Sequence, residues 1–280
     1  MDQKVAIQIQ HDENCYEMLK IAAESGFVYV SLGFGSSKCF HSEEWEKEIE
    51  KLKAALAENH LKCIMTHAPY YDLRISAEIL DADMEAALLR CVKATSLLGA
   101  GIMALHPRTC DDYEKSYDCN IKSILPLVRE AESCGCMVGI ENLPIFPGWD
   151  KKFYSCFVEE QCELVDYFDS PNVCAVWDTG HANLMVRDQV EAIAMVGNRI
   201  KGTHIHENDR KSDAHLVPFG GSGASRPEAM DWKSILGALK KTGYDGFLTL
   251  EVDYNYNTEI RSFVKHMYES VNRLDELLNR

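Results

Sequence analysis

The chain is short of positive charge. Its 280 residues carry 29 Lys and Arg against 44 Asp and Glu, a formal net charge of −15 at neutral pH. Nucleic acid and anionic membranes both demand clustered cations, so the charge argues against a general binder of either; it does not exclude a small anion in a local pocket. No uninterrupted apolar run approaches the roughly 18–20 residues needed to span a bilayer. The opening MDQKVAIQIQHDE has no basic segment followed by an apolar core, so no secretory signal is read and a cytoplasmic location is expected. There are eleven cysteines, an odd number, and no CxxC pair. Cys63, Cys91 and Cys174 sit within apolar patterns and Cys134 and Cys136 abut a strand, which points to reduced thiols rather than a disulfide framework. No Pro/Ser-rich linker or change of composition divides the chain, which reads as one domain over residues 1–280. No GxGxxG follows the first strand, so an open dinucleotide-binding sheet lacks its main support.

What is present is a regular beat. The composition, 46% apolar and 26% charged, is that of an ordinary globular protein. Short apolar strands are expected at VAIQI (5–9), FVYVSLG (27–33), KCIMTHA (62–68), GIMALHP (101–107), MVGIENL (137–143), VCAVWDT (173–179), KGTHIHE (201–207) and FLTLEV (247–252). Each after the first is preceded by a helix stop such as SG, NH, LGAG or SPN. Between them run helical stripes: Trp45, Ile49, Leu52, Leu56; then Met84, Leu88, Cys91, Thr95; and last Phe263, Met267, Val271, Leu274, Leu278. Ser42 followed by Glu43 and Glu44 reads as a helix N-cap. Eight strand–helix units sharing 280 residues predict an α/β fold, a (β/α)8 TIM barrel.

In such a barrel the C-terminal ends of all strands open on one mouth. His67, His106, Glu141, Asp178, His204, His206 and Glu251 all fall at strand ends, with His181 a step beyond Asp178 and with Asp213 and His215 in the loop after strand seven. His60 and His266 fall in helical segments instead. Glu141 and Glu251 are the most informative, because each ends an apolar run where an unpaired charge would be costly. Few basic residues are at hand to pair with them, so a divalent metal is the economical partner. Two Glu, one Asp and one His form an oxygen-rich set that suits Mn, Mg or Co ions, and also Zn.

The motifs THAPY (66–70), LHP (105–107), IENL (140–143), WDTGHANL (177–184), HIHEND (204–209), DAH (213–215) and DWKSILGALKKTGYDGFLTLEV (231–252) occur in this order. In them the chain resembles the xylose isomerase-like TIM barrels, which include sugar and sugar-phosphate isomerases and epimerases and the endonuclease IV abasic-site nucleases. The resemblance implies a shared metal site at Glu141, Asp178, His206 and Glu251. It favours His206 over His204 by the spacing to Asn208–Asp209; His204, on the same strand face, would lie one pleat below. It also implies positions for further zinc, at His67 and His106 with Glu141, and at His181, Asp213 and His215.

Two chemistries follow from the resemblance. In a sugar or sugar-phosphate isomerase or epimerase, one metal would stabilise an enediolate while Glu141 and Glu251 removed and returned the proton α to the carbonyl. His67, Tyr70, His106, His181, Arg210 and His215 would bind substrate, and Trp149 and Trp177 are candidates for stacking on the sugar or for the core. In a three-zinc phosphodiesterase the metals would activate water. Against the nuclease stand the net charge, the three acids of the HDENCYE segment after the first strand, and the short Asp209–Asp213 loop. An inosose dehydratase-like lyase uses the same enediolate logic, and a non-catalytic sugar binder would not need the acid pair. The expected partner is a small sugar or sugar phosphate. PFGGSGASRPEAMDW (218–232) reads as a Gly loop leading to an N-capping Asp231; phosphate binding by Arg226 and the Ser222–Gly223 backbone is the alternative. The last helix, from about Thr258 to Arg280, either covers the barrel bottom or joins a homo-oligomer.

Overall fold

Every apolar segment forms a strand, and every pairing is parallel. The strands are β1 (Val5–Gln10), β2 (Tyr29–Gly33), β3 (Lys62–His67), β4 (Ile102–Leu105), β5 (Met137–Glu141), β6 (Val173–Asp178), β7 (Ile200–His204) and β8 (Leu248–Leu250). This computed structural model describes residues 4–70, 82–145, 152–185, 187–219, 230–253 and 259–279. The helices are α1 (Cys15–Ser25), α2 (Trp45–Glu58), α3 (Ala82–Leu97), α4 (Ser116–Cys134), α5 (Val158–Phe168), α6 (Thr179–Asn183), α7 (Gln189–Val196), α8 (Trp232–Lys241) and α9 (Ile260–Asn279). The strand order runs β7-β6-β5-β4-β3-β2-β1-β8. The ring closes between β7 and β8 through Ile205, which donates to Thr249 O at 2.8 Å and accepts from Glu251 N at 3.2 Å. The result is the (β/α)8 barrel expected from the beat of the sequence.

Period-two alternation divides each strand between two cores. Val5, Ile7, Ile9, Val30, Leu32, Met103, Leu105, Val138, Ile140, Ala175, Trp177, Leu248 and Leu250 join the large cluster shared with the helices. Met65, Ile102, Ala104, Cys174 and Val176 form a separate small cluster inside the barrel. Gly139 and Gly202 belong to this inner layer. A Cβ on Gly139 would lie 2.5 Å from Val176 and 2.9 Å from Ile102, and one on Gly202 would lie 3.1 Å from the Met65 sulfur. Continuing the inward face of each strand by two residues arrives at Gln8, Ser31, His67, His106, Glu141, Asp178, His204 and Glu251. The apolar plug is therefore the floor beneath the polar residues.

The helical stripes are buried as their spacing implies, with Ile49, Leu52, Leu88, Cys91, Val271 and Leu274 at the centre of the outer core. Asp231 caps α8 by accepting from Ser234 N at 3.1 Å. All eleven cysteines are free thiols. Three expectations need correction. Ser42 does not cap α2: its hydroxyl accepts from Glu44 N at 3.1 Å, a local turn, and the helix starts only at Trp45. His60 lies in the turn beyond α2 at a φ of 55° rather than in a helix. The last helix covers no barrel bottom; it packs alongside α1 and α8 and against β1 and β8, completing the outer ring. No helix among the described residues is long and apolar enough to cross a membrane.

Filling the inner layer should be felt by the whole fold. Gly139→Val is expected to destabilise the protein by roughly 1–3 kcal/mol or more, read as a lowered urea midpoint at unchanged slope. An unchanged midpoint would show that the interior has room to spare.

Candidate metal centre

The mouth is built by continuing the inward face of each strand to its C-terminal end. Glu141 lies at its centre and is wholly buried. Its Oε2 lies 3.4 Å from His67 Nε2 and 3.6 Å from His106 Nε2, and its Oε1 lies 3.4 Å from His181 Nδ1 and 3.0 Å from His204 Nδ1. His204 also reaches Glu251 Oε2 at 3.1 Å, so one buried ring bridges both carboxylates. Asp178 meets His206 Nε2 at 3.0 Å. Asp213 lies 3.2 Å from His181 Nε2 and 3.4 Å from His215 Nε2. His206 and His215 stack with centroids 3.9 Å apart.

Local structure aims these groups. Asp178 is the last residue of β6 and also the N-cap of α6, accepting from His181 N at 2.6 Å. Asn142 ties β5 to β6: its amide donates to Asp178 O at 3.0 Å and accepts from Asp178 N at 2.8 Å. Thr179 Oγ1 donates to His206 O at 3.1 Å. Gly180 is glycine for a steric reason, since a Cβ there would fall 1.9 Å from the His206 ring.

Four imidazoles are anchored through Nδ1 to backbone carbonyls. His67 donates to Ala68 O at 2.9 Å, His181 to Asn142 O at 2.9 Å, His215 to Glu251 O at 3.1 Å, and His206 to Glu207 O at 3.4 Å. A carbonyl can only accept, so in the neutral ring Nε2 presents a lone pair toward the centre. A lone pair facing a carboxylate is stable only if the ring takes a second proton or a cation lies between them.

The electrostatics follow the same logic. Burial disfavours the Glu141 anion, yet the neighbouring His204 and His106 rings hold its carboxyl well below the usual carboxylate range. Burial likewise opposes ionisation of Asp178 and Glu251, and His181 with His206, and His204 with His215, lower them in turn. Burial works against a charged His204, but Glu141 and Glu251 push its pKa up to about 9. Beside the centre opens a cleft of about 540 Å³ lined by Gln8, Asn14, Tyr70, His215, Glu251 and Asp253, among others. That is the size of a small-molecule site.

Residues 19–270 match the family model described as the xylose isomerase-like TIM barrel. The chain belongs to that family. An uncharacterized protein of Methanocaldococcus jannaschii, MJ1311, is 27% identical over 213 residues, which span 72% of this chain and 67% of that one. A D-psicose 3-epimerase of Ruminiclostridium cellulolyticum is 25% identical over 243 residues, spanning 82% and 76%. Among solved structures, an L-ribulose 3-epimerase superposes with a TM-score of 0.74 at 17% identity, over 99% of this chain and 96% of that one. At that identity the structural likeness speaks for the fold.

Within this xylose isomerase-like barrel the donor atoms gather in groups, each with its ligand atoms within 4.8 Å of one another. One is Glu141, Asp178, His204 and Glu251; a second is His67, His106 and Glu141; a third is His181, His206, Asp213 and His215. The acids expected in the shared site are thus together. His204, one pleat below, sits closest to them, while His206 reaches the centre through Asp178 and faces the third group. Both Glu141 oxygens, both His204 nitrogens and Asp213 Oδ1 are buried without a well-formed hydrogen bond. Donor chemistry, ring anchoring and orphaned oxygens all fit a divalent cation.

Other candidates fall elsewhere. Tyr70 stacks on His106 with centroids 5.5 Å apart, at the lip of the cleft. Arg210 is exposed and its Nε donates to Asn183 Oδ1 at 3.1 Å, which holds it on the rim. Trp177 cannot stack on a ligand: strand alternation turns it away from Asp178 into the outer core, where its indole donates to Gln189 Oε1 at 3.3 Å. Trp149, Ser222, Gly223 and Arg226 lie outside the described residues. Reading the sequence passed over Gln8, which donates to Glu251, and the orienting role of Asn142. A single amide in an alternating strand gives no signal until its neighbour across the barrel is known.

Chelation should loosen this mouth. A divalent ion at about a hundred times its Kd adds about 2.7 kcal/mol, so Mn, Co or Zn is expected to raise the Tm of the stripped protein by roughly 5–10 °C. Identical melting curves with and without chelator would remove the ion from the site.

Proposed function

We propose that the protein is a divalent-metal-dependent sugar epimerase or isomerase that moves the proton α to the carbonyl of a small ketose between Glu141 and Glu251. One observation carries the reading. Two buried carboxylates on different strands share one ring, His204, at 3.0 and 3.1 Å, beside a cleft of sugar size. The relatives named D-psicose 3-epimerase support the class, an enzyme acting on sugars.

Glu141, Asp178, His206 and Glu251 would hold the ion, with His204 the neighbour best placed to replace His206. When bound, a divalent ion supplies Lewis-acid polarisation of the ketose carbonyl. The rest falls to the chain's own side chains. Both acids are held as carboxylates, the form a proton acceptor needs. As the C–H bond breaks, its proton passes to one carboxylate, its electron pair forms a carbon–carbon double bond and the carbonyl π pair moves onto oxygen, giving an enediolate. The other acid takes a proton from the charged His204 ring that touches both and delivers it to the opposite face, inverting the centre; a proton passed from the first acid back to His204 restores the starting state. His204 moderates the charge shared by the two acids. His215 and Tyr70 line the cleft, and His67, His106 and His181, ringed around Glu141, would hydrogen-bond substrate oxygens.

The outer donor groups favour a second reading on one specific count. His67 with His106, and His181 with Asp213 and His215, could hold further zinc for phosphodiester cleavage. The cleft lining, which among its described residues includes Asp12, Asp213, Glu251 and Asp253 and no Lys or Arg, opposes a polyanionic substrate.

Metal-loaded protein incubated in D2O with D-fructose, D-psicose and D-tagatose should incorporate deuterium at the carbon α to the carbonyl. Glu251→Gln is expected to slow conversion by roughly 10²-fold or more while the fold is kept. Incision of an abasic-site oligonucleotide, with no exchange into any ketose, would sink the sugar reading in favour of the nuclease.

A further inference from the structure

The two carboxylates that share His204 are not held alike. Glu141 receives no well-formed hydrogen bond on either oxygen, and its neighbours are imidazoles. Glu251 is gripped by a neutral amide: Gln8 Nε2 donates to its Oε1 at 2.5 Å. That amide is itself fixed, because Ser31 Oγ donates to Gln8 Oε1 at 3.1 Å. The orientation is unambiguous in chemical terms. A carboxylate only accepts, so the Gln8 NH2 must face Glu251 and its oxygen must face the serine hydroxyl.

The barrel register produces this chain of three. Gln8 is paired with Ser31 across β1 and β2, and the β1–β8 pairing that matches Ile7 with Leu250 brings Gln8 beside Glu251 on the same inward layer. Gln8 and Ser31 are both buried, which limits competition from water for the bonds. A buried bond to an ionised acceptor is of the stronger kind and fixes both the position and the rotation of the carboxylate. With Oε1 occupied by the amide, Oε2 is the oxygen turned toward His204 and the reaction centre.

We propose that Gln8 is a positioning residue for Glu251 alone, so that the two proton-transfer faces of the site are separately tunable and loss of Gln8 damages only one of them. This rests on the two-base reading given above. Starting from the epimer whose proton Glu141 removes, a protein with a misplaced Glu251 still exchanges that proton with solvent but converts poorly. Starting from the other epimer, exchange and conversion fail together.

The test uses the full chain as wild type, Gln8→Leu, Ser31→Ala and Glu251→Gln. Titration with Mn²⁺ needs no substrate, and Gln8→Leu is expected to weaken binding by roughly 10- to 100-fold, as removal of a ligand's outer partner does. At saturating Mn²⁺ in D2O, with D-fructose and D-psicose supplied separately, deuterium at C3 is counted in residual substrate and in product. For one sugar the ratio of exchange to conversion should rise at least about tenfold in Gln8→Leu, and for the other it should stay level while both rates fall. Ser31→Ala should shift in the same direction by less, and it carries the test if Gln8→Leu does not fold. Unchanged Mn²⁺ affinity, or an exchange-to-conversion ratio that moves alike for both sugars, would overturn the proposal. Full conversion by Glu251→Gln, with Mn²⁺ binding still weakened in Gln8→Leu, would instead sink the two-base reading and leave the positioning role standing.

Discussion

Anions enclosed in the barrel interior must be matched by cations within a few ångströms, and the site is arranged around that requirement. Glu141, Asp178 and Glu251 are all buried, where solvent cannot screen them. Among the described residues the ion pairs to these acids come from rings rather than from Lys or Arg. Five histidines, His67, His106, His181, His204 and His206, stand within 4 Å of the carboxylate oxygens of these three acids. Imidazole is a telling choice because it can balance a carboxylate either as a proton carrier or, by giving up that proton, as a co-ligand of a metal ion. Guanidinium or ammonium would have settled the charge permanently and closed the centre to other cations.

The apolar plug below and the clamps around the mouth serve the same need for fixed distances. Gly139 and Gly202 let the inner layers approach closely, and Gly180 leaves space for the His206 ring. Asn142 fixes β5 to β6 just where Glu141 and Asp178 emerge. The geometry of the charged layer is therefore set by backbone spacing more than by side-chain choice. That suits the TIM-barrel fold, which supports many chemistries on one set of strands.

Much of this was legible from strand ends. Apolar runs finishing in Glu141, Asp178 and Glu251 betrayed the acids, because a charge at the end of a buried strand is costly unless a partner balances it. What failed to show were relations between strands. His204 and His206 differ by one pleat, and only the closed barrel reveals that His204 is the ring lying between the two glutamates. For Trp177 stacking and core were both open, and alternation, which sends neighbours to opposite faces, decides for the core. Ser42 had the chemistry of a cap but formed a tighter local turn. Gln8 had no signature, since its meaning depends on Glu251, which is distant in sequence and adjacent only through closure of the barrel.

That closure has a consequence of its own. Between β7 and β8 the sheet is thin: β8 has three residues, and the backbone join runs through Ile205 to Thr249 and Glu251. His204 and Glu251 stand on either side of this seam and are themselves in contact across it. The barrel cannot unzip at its narrowest join without also parting the ring from one of the two acids it bridges. Breathing of the wall and loss of the charge-balanced centre are thus a single event. Any ligand that draws the two sides together acts as a stitch in the fold as well as an occupant of the site.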